Sequence, residues 1–196
     1  MHLTVPQIDQ ALERAARGVE QYGWIMQRVH AVDVSVDAGF QRRFNAFYRV
    51  RKGEVWRRVF YALLERAKSE PLTFSEALVA LEQAVGRVET SFASKLVATL
   101  DPGLPVVDQH VMRNFGLRRP YPSARDRMTK EVAVYLELRQ RVADLLARPD
   151  GARMCDRFRA RFPHADVSDV KKIDFVMWQH RPAAHSPGDL SAKARS

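Results

Sequence analysis

Cysteine is almost missing from this chain. Cys155 stands alone among 196 residues, which excludes an internal disulfide and any cluster held by several thiolates. Metal-ligand spacing is missing as well. No set of His, Cys and carboxylate residues recurs at the intervals a bound ion needs, and His180 and His185 fall in or beside a C-terminal stretch of tail-like composition. No apolar run approaches the ~20 residues that cross a bilayer. The N-terminus lacks the basic-then-apolar order of a secretion signal, because Asp9 and Glu13 arrive early in an amphipathic stretch. These absences lead us to expect a cytoplasmic protein with no membrane partner, no metal and no cofactor.

What is present is a substantial apolar fraction and an excess of positive charge. Hydrophobic residues make up 46% of the chain, enough for the core of one compact domain. Lysine and arginine number 32 against 23 acidic residues, a formal net charge of +9. General solubility explains some of this excess, but the cations cluster. Arg42, Arg43, Arg49, Arg51, Lys52, Arg57 and Arg58 form one group; Arg113, Arg118, Arg119, Arg125, Arg127 and Lys130 form another. Clustered cations attract polyanions, since each neutralised phosphate releases condensed counterions. Nucleic acid is the expected partner.

Helical periodicity runs through most of the sequence. Ile8, Leu12, Ala15, Ala16 and Val19 give a first amphipathic helix that is expected to stop near Gly23. The alternation from Val29 to Val36 reads as a short strand or an extended linker. Helices are expected from Phe40 to Arg51, with Phe40, Phe44, Phe47 and Tyr48 as core aromatics, and from Glu54 to Lys68. Thr73 and Glu76 form a capping-box pattern that opens the next helix. A turn over Gly86 to Thr90 leads into a helix from Phe92 to Leu100, and Asp108 opens another that runs to Phe115. A long helix follows from about Arg125 to Leu146. Pro149-Asp150-Gly151 should turn the chain before helices around Met154 to Phe162 and Val170 to Trp178. The organisation is therefore an N-terminal helix and linker over 1–37, a helical domain over 38–181, and a Pro-, Ser- and Ala-rich tail, expected to be disordered, over 182–196.

The segment Ser91 to Arg113 carries the most chemical information. Asp108 follows Val106 and Val107 and stands where an N-cap belongs, so a plain structural cap is one reading of it. Val107-Asp108-Gln109-His110-Val111-Met112-Arg113, preceded by helix, Pro/Gly loop and apolar run, resembles the helix-hairpin-helix DNA glycosylase superfamily of endonuclease III and the adenine glycosylase. Asn45 to Arg51 with the following helix, Phe74 to Val85, and Lys171 to His180 resemble other pieces of that family in the same order. The resemblance covers roughly residues 40 to 181 and implies an all-α, orthogonal multi-helical fold with a hairpin between two helices.

The resemblance also implies base excision from double-stranded DNA. Asp108 takes the place of the carboxylate that supports attack at the anomeric carbon of a flipped nucleotide. Ser91 takes the place that a Schiff-base lysine holds in members that also cut the backbone, so water is the expected nucleophile. Lys95, one turn further along the same helix face, is the alternative nucleophile. Arg87, Thr90, His110, Arg113, Arg49, Arg51 and Lys52 are the expected nucleic-acid contacts, and a monomer is expected. Tyr48, Trp56 and Trp178 are either packed in the core or part of a pocket.

The chain departs from the family at the hairpin. The two glycine positions of the family's turn fall on Arg87 and Glu89, leaving only Gly86, and Glu89 would repel phosphate unless it turns away or pairs with a cation. Two other readings stay open: a non-catalytic nucleic-acid-binding protein on the same scaffold, and a helical protein whose basic surface binds an acidic partner. The iron–sulfur cluster that related enzymes often carry cannot be built on one cysteine.

Overall fold

The structure, a computed structural model, describes residues 2–181. Those residues form nine helices and no strand: α1 (Val5–Val29), α2 (Ala38–Tyr48), α3 (Glu54–Arg66), α4 (Phe74–Val85), α5 (Thr90–Leu100), α6 (Gln109–Asn114), α7 (Arg127–Leu146), α8 (Pro149–Arg161) and α9 (Asp169–Gln179). The protein is an all-helical, multi-helix fold. One hydrophobic cluster links α1 at one end of the chain to α9 at the other. No described helix is long and apolar enough to cross a membrane. The tail expected over 182–196 lies outside the described residues.

α9 is the element around which the others pack. It is buried on most of its circumference, with Ile173, Phe175, Val176 and Met177 all at 1% exposure or less, and it touches α1, α6, α7 and α8. It is central although it carries Lys171 and Lys172, because each pairs with a carboxylate three residues away on the same helix, Asp174 and Asp169 respectively. Ser168 caps it, its hydroxyl accepting from the Lys171 amide at 3.1 Å. The expected core aromatics of α2 are buried, and Phe44 lies between Phe60 and Tyr61 of α3 at ring distances of 5.6 and 5.7 Å. The Thr73–Glu76 capping box is formed.

Three local expectations are corrected. α1 does not stop at Gly23 but continues to Val29, carrying Tyr22, Ile25 and Val29 into the core. A mid-helix glycine costs about 1 kcal/mol relative to alanine, whereas burying Ile25 and Val29 contributes about 1.5–3 kcal/mol each, so packing overrides the glycine. The alternating stretch after it is a turn rather than a strand. Asp33 accepts from the Ser35 amide and hydroxyl at 2.9 and 2.6 Å, a local Asx turn that competes with extended pairing. Pro149-Asp150-Gly151 is the first turn of α8 instead of a loop, with Pro149 at a position that needs no amide donor. Gly151 is required there, because a Cβ would lie 2.2 Å from the Leu145 carbonyl oxygen.

The α4–α5 turn closes with a single glycine. Gly86 adopts φ +67° and ends α4, while Glu89 sits at φ −106° and precedes α5. Arg87 and Glu89 therefore escape the left-handed region that glycine would otherwise have to supply.

Candidate active site

Four elements meet around a cavity of about 260 Å³ beside Asp108. The end of α2 contributes Phe47, Tyr48 and Arg49, and α5 contributes Lys95. The 106–110 segment supplies Val106, Asp108, Gln109 and His110. α9 supplies Asp174 and Trp178, one turn apart on a single helix face.

Asp108 is held there by serines on α5. The Ser94 hydroxyl accepts from the Val107 amide at 2.9 Å, and the Ser91 hydroxyl donates to the Val107 carbonyl at 2.7 Å. Both polar groups of Val107 are thus satisfied by side chains three residues apart on one helix face, while Val106 and Val107 are buried in apolar contacts. The next residue is consequently fixed in position. Asp108 caps α6 through Oδ1, which accepts from the His110 amide at 2.7 Å. Its Oδ2 has no hydrogen-bond partner among the described residues. Asn114 locks α6 to the end of α9 by donating to the carbonyls of Met177 and His180 at 2.7 and 3.2 Å.

Lys95 faces the same cavity and is only 9% exposed. Its ammonium lies 4.7 Å from the Phe92 ring centre and 5.6 Å from that of Tyr48, and donates to the Tyr48 carbonyl over a long 3.3 Å. Burial lowers its pKa from 10.5 to about 8, opposed first by Asp108 and then by Asp174 and Glu89. The neutral amine is therefore far more accessible here near neutral pH than on an exposed lysine.

Asp174 is a second carboxylate lining the cavity, and the sequence reading missed it. It is paired with the buried Lys171 at 2.7 Å. Burial raises the Asp174 pKa against the pull of Lys171. Burial pulls Lys171 down, but Asp174, Tyr48 and Tyr22 more than restore it, so this cation stays protonated. The only sequence signal was an Asp three residues after a Lys in a helix that also carries Ile173, Phe175, Val176 and Met177. That spacing is far more common on solvated faces.

The mouth is basic. Arg49 takes a left-handed conformation at φ 53° as the cap of α2, which directs its guanidinium to 5.7 Å from the Trp178 ring. Burial lowers the His110 pKa, with Arg181, Arg113 and Arg49 pushing the same way and Asp108 opposing. His110 is therefore a neutral imidazole at neutral pH.

The other expected site residues separate. Ser91 does not line this cavity. It borders a neighbouring groove that shares Asp108 and Gln109 with it. Thr90 is 1% exposed and its hydroxyl accepts from Arg119 at 2.9 Å, so it presents nothing to a partner. Lys52 pairs with Glu89 and lies 5.2 Å from the Trp56 and Phe92 ring centres. This answers the Glu89 problem at the turn. Arg49 and Arg113 are exposed near Asp108, and Arg51 and Arg87 are exposed but line neither cavity nor groove. Of the three uncertain aromatics, Tyr48 and Trp178 wall the cavity, whereas Trp56 stacks on Phe60 at 5.3 Å. No group of His, Cys, Asp or Glu among the described residues could hold a metal ion. No protein-family model, curated protein or solved structure matches the chain.

Proposed function

We propose that the protein is a DNA glycosylase that removes a damaged or mispaired base from an extruded nucleotide, acting as a monomer on duplex DNA in the cytoplasm. The observation that carries this reading is one cavity lined by both a carboxylate, Asp108, and a buried amine of lowered pKa, Lys95, between aromatic walls and with Arg49 at its rim. About 260 Å³ lies just under the ~300–1,000 Å³ of most small-molecule pockets and suits a single nucleoside. The walls of Phe47, Tyr48 and Trp178 offer faces for a base, and the rim cations suit the flanking phosphates.

Loss of the base leaves positive charge on C1′ and O4′ of the sugar. The Asp108 carboxylate stabilises that charge in a site already shaped for it. The geometry favours Lys95 over Ser91 as the companion group, because the Ser91 hydroxyl is committed to Val107 and faces the groove. Neutral Lys95 donates its lone pair to C1′ as the C1′–base bond breaks, and the bonding pair leaves with the base, which takes up a proton. Nζ then loses a proton, the C1′–O4′ bond opens with O4′ protonated, and an iminium joins Lys95 to the sugar. This departs from the water-based reading suggested by Ser91.

The second reading, a nucleic-acid-binding protein without chemistry, draws on the capping bond that Asp108 makes to His110. One experiment separates the two. Duplexes carrying uracil, hypoxanthine, 8-oxoguanine, an alkylpurine or an adenine·8-oxoguanine mispair are incubated with the protein under borohydride, and beside it with alkali treatment. The proposal expects a covalent adduct on one lesion, lost in Lys95→Gln, and strand breaks lost in Asp108→Asn while DNA binding persists. Binding without adduct or alkali-labile product on every duplex overturns it.

A further inference from the structure

A second concavity, a groove of about 810 Å³, lies beside the cavity and shares Asp108 and Gln109 with it. Its walls carry three arginines, Arg113, Arg118 and Arg119, and the only carboxylate among them is the shared Asp108. The chain builds this cluster through the end of α6. Gly116 turns at φ +68°, its amide donates to the Arg113 carbonyl at 2.9 Å, and the Leu117 amide reaches back to Met112 at 2.8 Å. This paired closure satisfies the helix end and folds Arg118 and Arg119 back beside Arg113.

Arg119 is clamped. Its guanidinium forks onto the fully buried Glu131 at 3.0 and 2.6 Å and also donates to Thr90 at 2.9 Å, which fixes the 116–119 segment against α5 and α7. Arg127 also approaches Glu131, at 3.6 Å, so two cations share one carboxylate there and the local balance stays positive. Arg113 and Arg118 are exposed and have no carboxylate within ion-pair distance among the described residues. Unpaired arginines gathered in a concave wall with one anchored member form a receptor for tetrahedral anions, which guanidinium forks bind in two-point fashion.

We infer that this groove seats the phosphodiester backbone of a nucleic-acid strand, with Arg113 and Arg118 as its phosphate contacts, and that the α4–α5 turn is not the main grip. The inference rests on the proposed function for its choice of DNA over other polyanions. It adds a path for the strand: backbone in the groove, the nucleotide at Asp108 turned into the adjoining cavity. The α4–α5 turn offers less, since Lys52 is spent on Glu89 and only Arg87 remains exposed.

The test measures affinity for a duplex with a stable abasic-site analogue across a salt series. Each phosphate contact contributes about 0.9 to the slope of log affinity against log salt. Arg113→Ala/Arg118→Ala should lower that slope by about 2 with the helical signature of the protein unchanged. The Arg17→Ala/Arg139→Ala control, which removes the same charge from exposed positions elsewhere, and Arg87→Ala should each change it by less than about 1. An equal slope loss in the control, a larger loss in Arg87→Ala, or no loss in the groove variant overturns the inference. Displacement of the duplex by polyglutamate at equal charge concentration does so too, by favouring an acidic protein partner. Base excision that survives with an unaltered slope would sink the groove and spare the glycosylase reading. Groove-dependent binding without excision would do the reverse.

Discussion

Replacing Lys95 with methionine is expected to make the protein more stable at neutral pH, and the size of the gain follows from its surroundings. Burial lowers the lysine from 10.5 to about 8. At about 1.4 kcal/mol per pH unit, keeping the cation inside costs the folded state about 3 kcal/mol wherever both folded and unfolded chains are protonated, which means below about pH 8. Between 8 and 10.5 the unfolded chain holds the proton more often than the folded one, so stability rises with pH and the penalty fades. Above 10.5 neither state is charged and the term vanishes. Methionine keeps most of the stem's apolar contact and gives up only the long bond to the Tyr48 carbonyl. Urea unfolding of the parent and Lys95→Met at pH 7, 9 and 10.5 should show a gap of about 3 kcal/mol that narrows towards zero. A variant no more stable than the parent at pH 7, or a gap independent of pH, refutes the reasoning. It would mean that Asp108 and Asp174 compensate the buried charge in full. A stabilised variant that also loses the borohydride-trapped adduct would mark Lys95 as a residue kept at the expense of stability, as functional groups often are.

Two further outcomes follow from buried polar groups near the cavity. Lys171→Met leaves Asp174 buried without its partner and should destabilise the fold by about 3–5 kcal/mol in chemical denaturation, whereas Lys171→Met/Asp174→Leu should recover most of that loss; a single variant of parental stability would show that Asp174 is readily solvated. Ser94→Ala strips the buried Val107 amide of its acceptor, for an expected loss of about 1–3 kcal/mol, and should reduce excision more than DNA binding because Asp108 loses its support; equal losses in both would count against this positioning role.

The helices were legible in the sequence wherever local rules and packing agreed. The Thr73–Glu76 box, the aromatic face of α2 and the capping place of Asp108 all depend on neighbours within four residues, and all are found in the structure. Local rules failed where distant contacts outweighed them, as at Gly23, where α1 continues because Ile25 and Val29 find a core.

The sequence by itself determined an all-helical chain with an excess of arginine and an acidic cap at the start of α6, since spacing, charge and capping are properties of short segments. Only the tertiary structure decided which groups share a cavity. Lys95 and Asp174 lie on helices far apart in sequence, and whether each meets solvent or Asp108 depends on how α5 and α9 pack. The lowered pKa of Lys95 arises in the same way, because desolvation is set by everything packed around a charge, whatever its place in the chain.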